Sequence, residues 1–437
     1  MRDSLSIRKY LFWMVDKMKG GNIRKHFSEI GKLLSDPEKQ ENLQIREDSL
    51  THLLNHAVNT TKFYESFDSK NIYSFPIINK NIIRENFDDF RSSKYTEKDM
   101  ISMVTSGSTG TPFKVYQDKN KKDRNTADTI YFAQKAGFEI GDKLFYLKIW
   151  SASNHKSNLV AKLQNVIPFD VFKLNDSEIL RLLKLLVDSK DRNGVLSYAS
   201  ALEEVCKYLD VNGFDDLQKI KISSAITTSE SLSDYAKTSF KKYFGIDVFA
   251  RYSNLENGII AQQFQNSGNS YLINRASYLL EIFKLEEDML AEPGEMGRIV
   301  ITDLYNYGMP LIRYDTGDIG QYALNEDGTN NISVLEHIEG RKLDLLYNTK
   351  GELVSSYIMY KNMWKYSEIS QYQLIQNHKK EYIFKINVEN DFAREEELVK
   401  EFKSYLGEDA NFTVEYVAEI PLLSSGKRKK VVNNYYK

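Results

Sequence analysis

Thr105-Ser106-Gly107-Ser108-Thr109-Gly110-Thr111-Pro112-Phe113-Lys114 alternates hydroxyls with glycines and closes on a lysine. Ser and Thr compete with the backbone for its own hydrogen bonds, and Gly costs backbone entropy, so the run is poorly suited to a helix or a packed strand. It suits a different task. Glycines let a chain approach closely, amides and hydroxyls donate to oxygens, and the lysine adds charge. Those are the groups that wrap a polyphosphate. The Walker order Gly-x-x-x-x-Gly-Lys-Ser/Thr is absent, which narrows the nucleotide chemistry the run can serve. Taken alone, it also reads as an ordinary surface loop.

Four further segments follow in order. Arg251-Tyr252-Ser253-Asn254-Leu255-Glu256 comes directly after the strand candidate Val248–Ala250. An aromatic at a strand end can stack on a purine, and a carboxylate four residues on can hold Mg2+, which takes one or two carboxylates plus phosphate oxygens. Pro310-Leu311-Ile312-Arg313-Tyr314-Asp315-Thr316-Gly317-Asp318 sets a carboxylate after a tight Thr-Gly turn, able to accept from both hydroxyls of a ribose. Gly340-Arg341-Lys342-Leu343-Asp344 offers an arginine for phosphate or ribose oxygens and an aspartate for a hinge. Pro421-Leu422-Leu423-Ser424-Ser425-Gly426-Lys427 puts a lysine on a glycine-containing loop that can enter and leave a site. Each has a plainer reading too: a buried Tyr with a solvated Glu, a capped turn, a solvated basic tail.

Elements must hold these residues in place. The 437 residues suggest roughly two or three domains. Hydrophobic residues at 41% and charged residues at 27% read as a soluble globular chain. A net charge of −2 provides no field for nucleic acid or an anionic membrane. The single cysteine, Cys206, excludes an internal disulfide framework and lies on an apolar helix face; it fits a reducing, cytoplasmic setting. No run of about 18 apolar residues is present, so no integral membrane segment is expected. The aromatic and basic stretch Ile7–Trp13 reads as a helix packed on the body, with an amphipathic surface helix as the alternative.

Residues 1 to about 65 carry helical spacing. From about 100 to 325, strand-like runs (Lys143–Trp150, Val195–Tyr198, Ile220–Ile226, Val248–Tyr252, Tyr278–Lys284, Gly297–Thr302) alternate with helical ones (Asp123–Ala136, Ser177–Ser189, Ala199–Val211, Ser231–Phe244). Such alternation predicts an α/β fold with largely parallel strands and ligands beyond their C-terminal ends. The phosphate-type run falls there if Ile101–Val104 is a strand. Beyond Gly340-Arg341, strands near Gln371–Gln376, Tyr382–Val388 and Thr413–Val417 and a helix near Arg394–Leu406 predict a small α+β unit.

Together the five segments resemble the adenylate-forming superfamily of acyl-CoA ligases, peptide-synthetase adenylation domains and luciferases. Within it the chain is most similar to the branch of phenylacetate–CoA ligase, coenzyme F390 synthetase and the CapK-type capsule proteins. Phe75-Pro76-Ile77-Ile78-Asn79-Lys80 and Gly297–Leu304 running into Pro310–Asp318 carry the branch resemblance. It implies a large N-terminal domain with mixed sheets and packed helices, plus a small mobile α+β C-terminal domain. The divisions are a helical segment 1–65, an ATP- and carboxylate-binding domain 66–340 and a lid 341–437.

The resemblance also implies roles. Thr105, Ser106, Gly107, Ser108, Thr109, Gly110 and Lys114 match the grip on the β- and γ-phosphates of ATP. Ser229 and Glu230 fall where the family lines its adenine pocket, and Tyr252 matches the residue that stacks on adenine. Glu256 matches the Mg2+ ligand, Asp318 the ribose aspartate, Arg341 the arginine of the third motif and Asp344 the hinge. Lys427 matches the lysine of the α-phosphate and substrate carboxylate. The implied activity is an ATP-dependent, AMP-forming ligase for a small-molecule carboxylate, with no nucleic-acid partner. Coenzyme A, an amine in surface-polysaccharide biosynthesis, or AMP transfer to a cofactor are its possible acceptor chemistries. Leu255 replaces a hydroxyl residue, Ser253 a glycine, and Lys342-Leu343 an acidic pair member, so a nucleotide binder without turnover is the alternative.

Overall fold

The computed structural model describes residues 2–105, 113–150, 158–172, 174–341, 346–354, 358–359, 363–366, 368–388, 392–421 and 428–435. Helices Arg2–Met18, Asn22–Ser35 and Gln40–Thr60 lead the chain, matching the helical spacing there. The second packs Ile30 and Leu33 on Ala127, Tyr131 and Phe132 of the helix Lys119–Lys135, which fastens this segment to the body.

An antiparallel ribbon follows, β1 (Met100–Thr105) with β2 (Phe113–Asp118). Ile101–Val104 is thus a strand, but it does not join the large sheet. Thr105, Phe113 and Lys114, expected in a loop, are strand residues, with Thr105 opposite Phe113 and Val104 opposite Lys114. The physical reason is the short connection: neighbouring runs joined by a few residues close a hairpin, whereas parallel pairing needs a crossover.

Among the described residues, eleven strands form one sheet. β3 (Lys143–Lys148), β4 (Val166–Asp170), β5 (Asn193–Tyr198), β6 (Ile222–Thr228) and β7 (Val248–Asn254) run parallel in the spatial order β4-β3-β5-β6-β7. Helices Asp176–Asp188, Ala199–Asn212 and Asp234–Phe244 bury Leu183, Leu202, Cys206 and Phe240 against this half. These elements lie within a few residues of those read from the sequence. The expectation of largely parallel strands holds only this far. β8 (Gly258–Gln263), β9 (Tyr271–Ile273), β10 (Tyr278–Phe283), β11 (Gly297–Asp303), β12 (Tyr314–Leu324) and β13 (Asn330–Arg341) extend the sheet antiparallel, in the order β7-β8-β9-β13-β12-β11-β10. The turn from β7 to β8 spans residues 255–257, too few for a crossover.

A second region has its own core. β14 (Leu346–Tyr347) pairs with β15 (Leu353–Val354), while β16 (Ile369–His378), β17 (Glu381–Val388), β18 (Asn411–Tyr416) and β19 (Val431–Asn433) form a sheet in the order β18-β17-β16-β19. The helix Glu395–Leu406 lays Leu398, Phe402 and Leu406 on it, a 3.6-residue stripe. Tyr347 packs near Ile319 of β12, so the two regions touch.

Candidate nucleotide-binding and catalytic site

The parallel half meets the antiparallel half at β7, and Ser229, Glu230, Tyr252, Glu256 and Asp318 gather near its end. Thr228, the last residue of β6, has its Oγ1 3.2 Å from the Ser253 Oγ on β7. Ser229 then turns the chain at φ 72°, a left-handed conformation uncommon for a residue with a side chain. Glu230 secures that turn. Its Oε2 accepts from the Ser200 N–H at 3.0 Å and the Ser200 Oγ at 2.6 Å, at the start of the helix Ala199–Asn212. A carboxylate there also complements the helix dipole.

Asp318 is presented by a bulge rather than the expected turn. β11 and β12 pair Val300 with Asp315 and Arg298 with Ile319, which leaves residues 316–318 opposite Ile299. Gly317, at φ 79°, permits it. Thr316 Oγ1 ties the bulge down, donating to the Ile299 carbonyl at 3.0 Å and accepting from the Asp318 N–H at 3.1 Å. Tyr252 reaches across from β7: its hydroxyl donates to Asp318 Oδ2 at 2.8 Å and lies 3.2 Å from Thr316 Oγ1. Burial of the ring, then the Asp318 charge, push the Tyr252 phenol well above its ordinary range, so it stays a donor. Arg341 is the register partner of Asp318 at the end of β13, so the third motif borders Asp318 through the backbone.

Glu256 lies in the 255–257 turn, where the Asn257 N–H donates to Asn254 Oδ1 at 2.8 Å. Its backbone carbonyl is fixed by Gln117 Nε2 of β2 at 2.8 Å. Leu255 points outward, 44% exposed, while the Glu256 side chain is 2% exposed. Glu256 Oε1 accepts from the Tyr314 hydroxyl at 3.1 Å and pairs with Lys80 Nζ at 2.8 Å. Lys80 arrives through a clamp: Ile78 bridges Tyr314 in parallel, with the Ile78 N–H donating to the Arg313 carbonyl at 3.0 Å and the Asp315 N–H to the Ile78 carbonyl at 2.8 Å. Asn79 then caps the helix Lys80–Glu85. Phe113 supports the cluster, stacked parallel to Tyr314 at 6.5 Å with Lys80 Nζ 5.3 Å over its ring.

Lys114 is not part of it. Side chains alternate along β2, so Lys114 faces away from Phe113. Its Nζ donates to the Tyr116 hydroxyl at 2.7 Å and lies 4.5 Å over that ring. Ser106, Gly107, Ser108, Thr109, Gly110, Asp344 and Lys427 lie outside the described residues, as do the side chains of Thr105 and Arg341. Lys430, three residues beyond Lys427, lies 4.9 Å over the Tyr372 ring, and its charge reaches Glu203 on the helix Ala199–Asn212. Burial raises the Glu203 carboxyl, but Lys430 and Lys207 outweigh it and hold it below the usual range. Cys206 is buried, and its thiol is pushed up to about 12 by burial, which suits a core residue and no nucleophile.

In the sequence, Lys80 and Tyr314 stand inside motifs without a role of their own. Lysine beside an expected cation-binding carboxylate is the signal that was present, and only the 78–314 bridge makes it readable. The donor set at Glu256 fits Mg2+. One oxygen carries Lys80 and Tyr314, and Oε2 accepts no hydrogen bond among the described residues. A single hard oxygen, with phosphates supplying the rest, is the usual Mg2+ arrangement. No group of three or more His, Cys, Asp or Glu suited to a metal occurs among the described residues.

Solved structures share this architecture. 2-Hydroxyisobutyryl-CoA ligase, in its postadenylation state with 2-HIB-AMP, aligns with TM-score 0.70 at 15% identity, covering 90% of each chain. ATP-bound MatB from Rhodopseudomonas palustris aligns with TM-score 0.55 at 14% identity, over 75% of this chain and 66% of that one. The chain has the fold of the adenylate-forming ligases. Residues 346–434 match the family described as the CapK C-terminal domain. Across 94% of this chain and 93% of the relative, it is 23% identical to Protein CapK of Staphylococcus aureus. Within the adenylate-forming fold, the thioester-forming state of 2-hydroxyisobutyryl-CoA ligase aligns less well than the postadenylation state, with TM-score 0.57.

Proposed function

We propose that this protein is an ATP-dependent, AMP-forming ligase that adenylates a small-molecule carboxylate and passes the acyl group to an acceptor. The observation that carries the reading is the joining, at one strand end, of an adenosine-type half-site (Tyr252, Thr316, Asp318) and a buried carboxylate half-site (Glu256, Tyr314, Lys80). The adenylate-forming fold supplies the setting.

In the first step a carboxylate oxygen attacks the α-phosphorus of ATP, the bond to the β-phosphate oxygen breaks, and pyrophosphate leaves. Such steps need positioning and charge neutralisation more than proton transfer. Tyr252 stacks on adenine and Asp318 accepts from the ribose hydroxyls. Ser229 and Glu230 border the base, and Arg341 reaches phosphate or ribose oxygens. Mg2+, held on Glu256, neutralises phosphate charge when bound. Lys427 meets the α-phosphate and the acid, and the 105–114 run with Lys114 holds the leaving pyrophosphate. Lys114 must leave Tyr116 to do so.

In the second step a nucleophile attacks the acyl carbon and AMP departs. The unequal match to two states of one neighbour supports a small domain that turns between steps about Gly340–Asp344. Coenzyme A is the acceptor that the CoA ligases among the neighbours support. The likeness to Protein CapK is the ground for a second reading, a role in capsular or surface polysaccharide biosynthesis with an amine as acceptor. We place the enzyme in the cytoplasm, where ATP and CoA are available. The test incubates the protein with ATP, Mg2+ and aryl, fatty, amino and uronic acids, with and without CoA, and reads AMP and product mass. An acid-dependent AMP signal supports the ligase; a CoA thioester or an amide mass assigns the acceptor. ATP binding with no AMP from any acid overturns the ligase reading in favour of a nucleotide binder.

A further inference from the structure

The helix Arg2–Met18 turns an apolar arc to solvent. Ile7, Tyr10, Leu11, Met14, Val15 and Met18 are all exposed, Tyr10 at 69% and Met18 at 80%. At 100° per residue they fall within one arc of about 140°. Apolar residues scattered singly over a surface need no explanation, but a contiguous arc with a polar rim does.

The other side of the helix is fixed to the body. The Trp13 ring lies 5.7 Å from Phe27, and the Arg24 guanidinium covers it at 4.6 Å. Asp16 is buried, and its carboxylate accepts from the backbone N–H groups of Ile23 and Arg24 at 3.1 and 3.0 Å. Lys9 pairs with Glu139 at 2.9 Å. These contacts hold the helix in one rotation, so the same six side chains are always presented.

Charge says what covers them. Asp16 is the sole acidic residue between Ile7 and Met18, and it is turned inward. Arg8 and Lys17 stand at the two edges of the arc, and Lys19 follows. Basic side chains at such an edge lay their stems on apolar surface while their heads reach outward to anions. Tyr10 brings an amphipathic ring to the same border. A second copy of the chain fits poorly, because two arcs laid together oppose basic edges, and among the described side chains of the helix the one acid, Asp16, is turned inward. A coiled-coil seam is also narrower than this arc. No described helix is long and apolar enough to cross a membrane, so the face suits the surface of a bilayer and not its interior.

We propose that this helix docks the protein on an anionic lipid surface, lying in the headgroup plane with its six apolar side chains inserted and Arg8 and Lys17 on lipid phosphates. The test is co-sedimentation of the full chain with phosphatidylcholine vesicles, with and without phosphatidylglycerol, at low and physiological salt. The expected result is binding to the phosphatidylglycerol vesicles that weakens with salt. Arg8→Gln with Lys17→Gln weakens it by about thirtyfold, and Leu11→Glu with Met14→Glu abolishes it. Unchanged ATP binding and thermal midpoint in both variants show an intact fold. Three results overturn the proposal. One is wild-type protein left in the supernatant with anionic vesicles at low salt. Another is undiminished binding after Leu11→Glu with Met14→Glu. The third is a concentration-dependent dimer dispersed by those substitutions, which makes a second copy the occupant.

Discussion

Lys121 and Lys80 each meet a carboxylate inside the large domain, 2.7 Å from Asp303 and 2.8 Å from Glu256, yet their surroundings differ. Lys121 and Asp303 are both 0% exposed. Tyr278 contributes a hydroxyl 3.0 Å from Lys121, and the Tyr305 N–H donates to Asp303 at 3.1 Å. Nearby, Arg124 donates to Ser277 Oγ at 2.8 Å and Glu29 Oε1 at 2.7 Å, while Ser277 donates to Asp128 at 2.9 Å. The Lys121–Asp303 pair is sealed from solvent, and the network around it ties the helix Lys119–Lys135 to the antiparallel strands and to the N-terminal helices. The Glu256 pair is open on one side: Lys80 is 30% exposed and, among the described residues, one carboxylate oxygen is left over. A closed pair stabilises an arrangement, while an open one can exchange its partner for an incoming cation.

The sharpest way to test that contrast is to remove the closed lysine. Lys121→Met leaves Asp303 buried without its counter-charge and is expected to cost about 3–5 kcal/mol of stability. The double variant with Asp303→Asn recovers much of the loss, because no uncompensated charge remains; chemical denaturation reads both. Glu256→Gln is expected to keep the fold but to slow adenylation about a hundredfold, close to 3 kcal/mol of transition-state stabilisation. A denaturation midpoint that falls as far as that of Lys121→Met makes Glu256 structural and erases the contrast.

Lys80→Met comes next. With the ammonium gone, Mg2+ no longer displaces a partner from Glu256, and Mg2+-dependent ATP binding is expected to tighten roughly tenfold, about 1.4 kcal/mol. Calorimetric titration at varied Mg2+ measures it, and weaker binding instead assigns Lys80 to the nucleotide. Tyr252→Phe is the mildest change. It keeps the ring and removes one donor to Asp318, for an expected loss of about 1 kcal/mol in nucleotide affinity. Loss of all binding contradicts that modest role.

The two halves of the sheet were unequally legible. The parallel strands and their helices stand out because apolar runs such as Val195–Tyr198 alternate with amphipathic stretches such as Ser177–Ser189. β13, written Asn-Asn-Ile-Ser-Val-Leu-Glu-His-Ile-Glu-Gly-Arg, mixes polar residues into a strand that pairs with its sequence neighbour β12 and, on its other edge, with the distant β9, and no clean alternation marks it. The site shows the same division. Tyr252, Glu256 and Asp318 were readable as motif residues, but the Thr316–Asp318 bulge depends on register with β11. Lys80 needed the bridge between Ile78 and Tyr314, and the outward turn of Lys114 followed from pairing that a loop reading does not contain.

Carboxylate-dependent exchange of pyrophosphate into ATP, run on the wild type and on Lys427→Ala, tests the central claim most directly. The account expects exchange with at least one acid, its loss in Lys427→Ala, and continued consumption of preformed acyl-adenylate by that variant. Full exchange activity in Lys427→Ala would contradict the account.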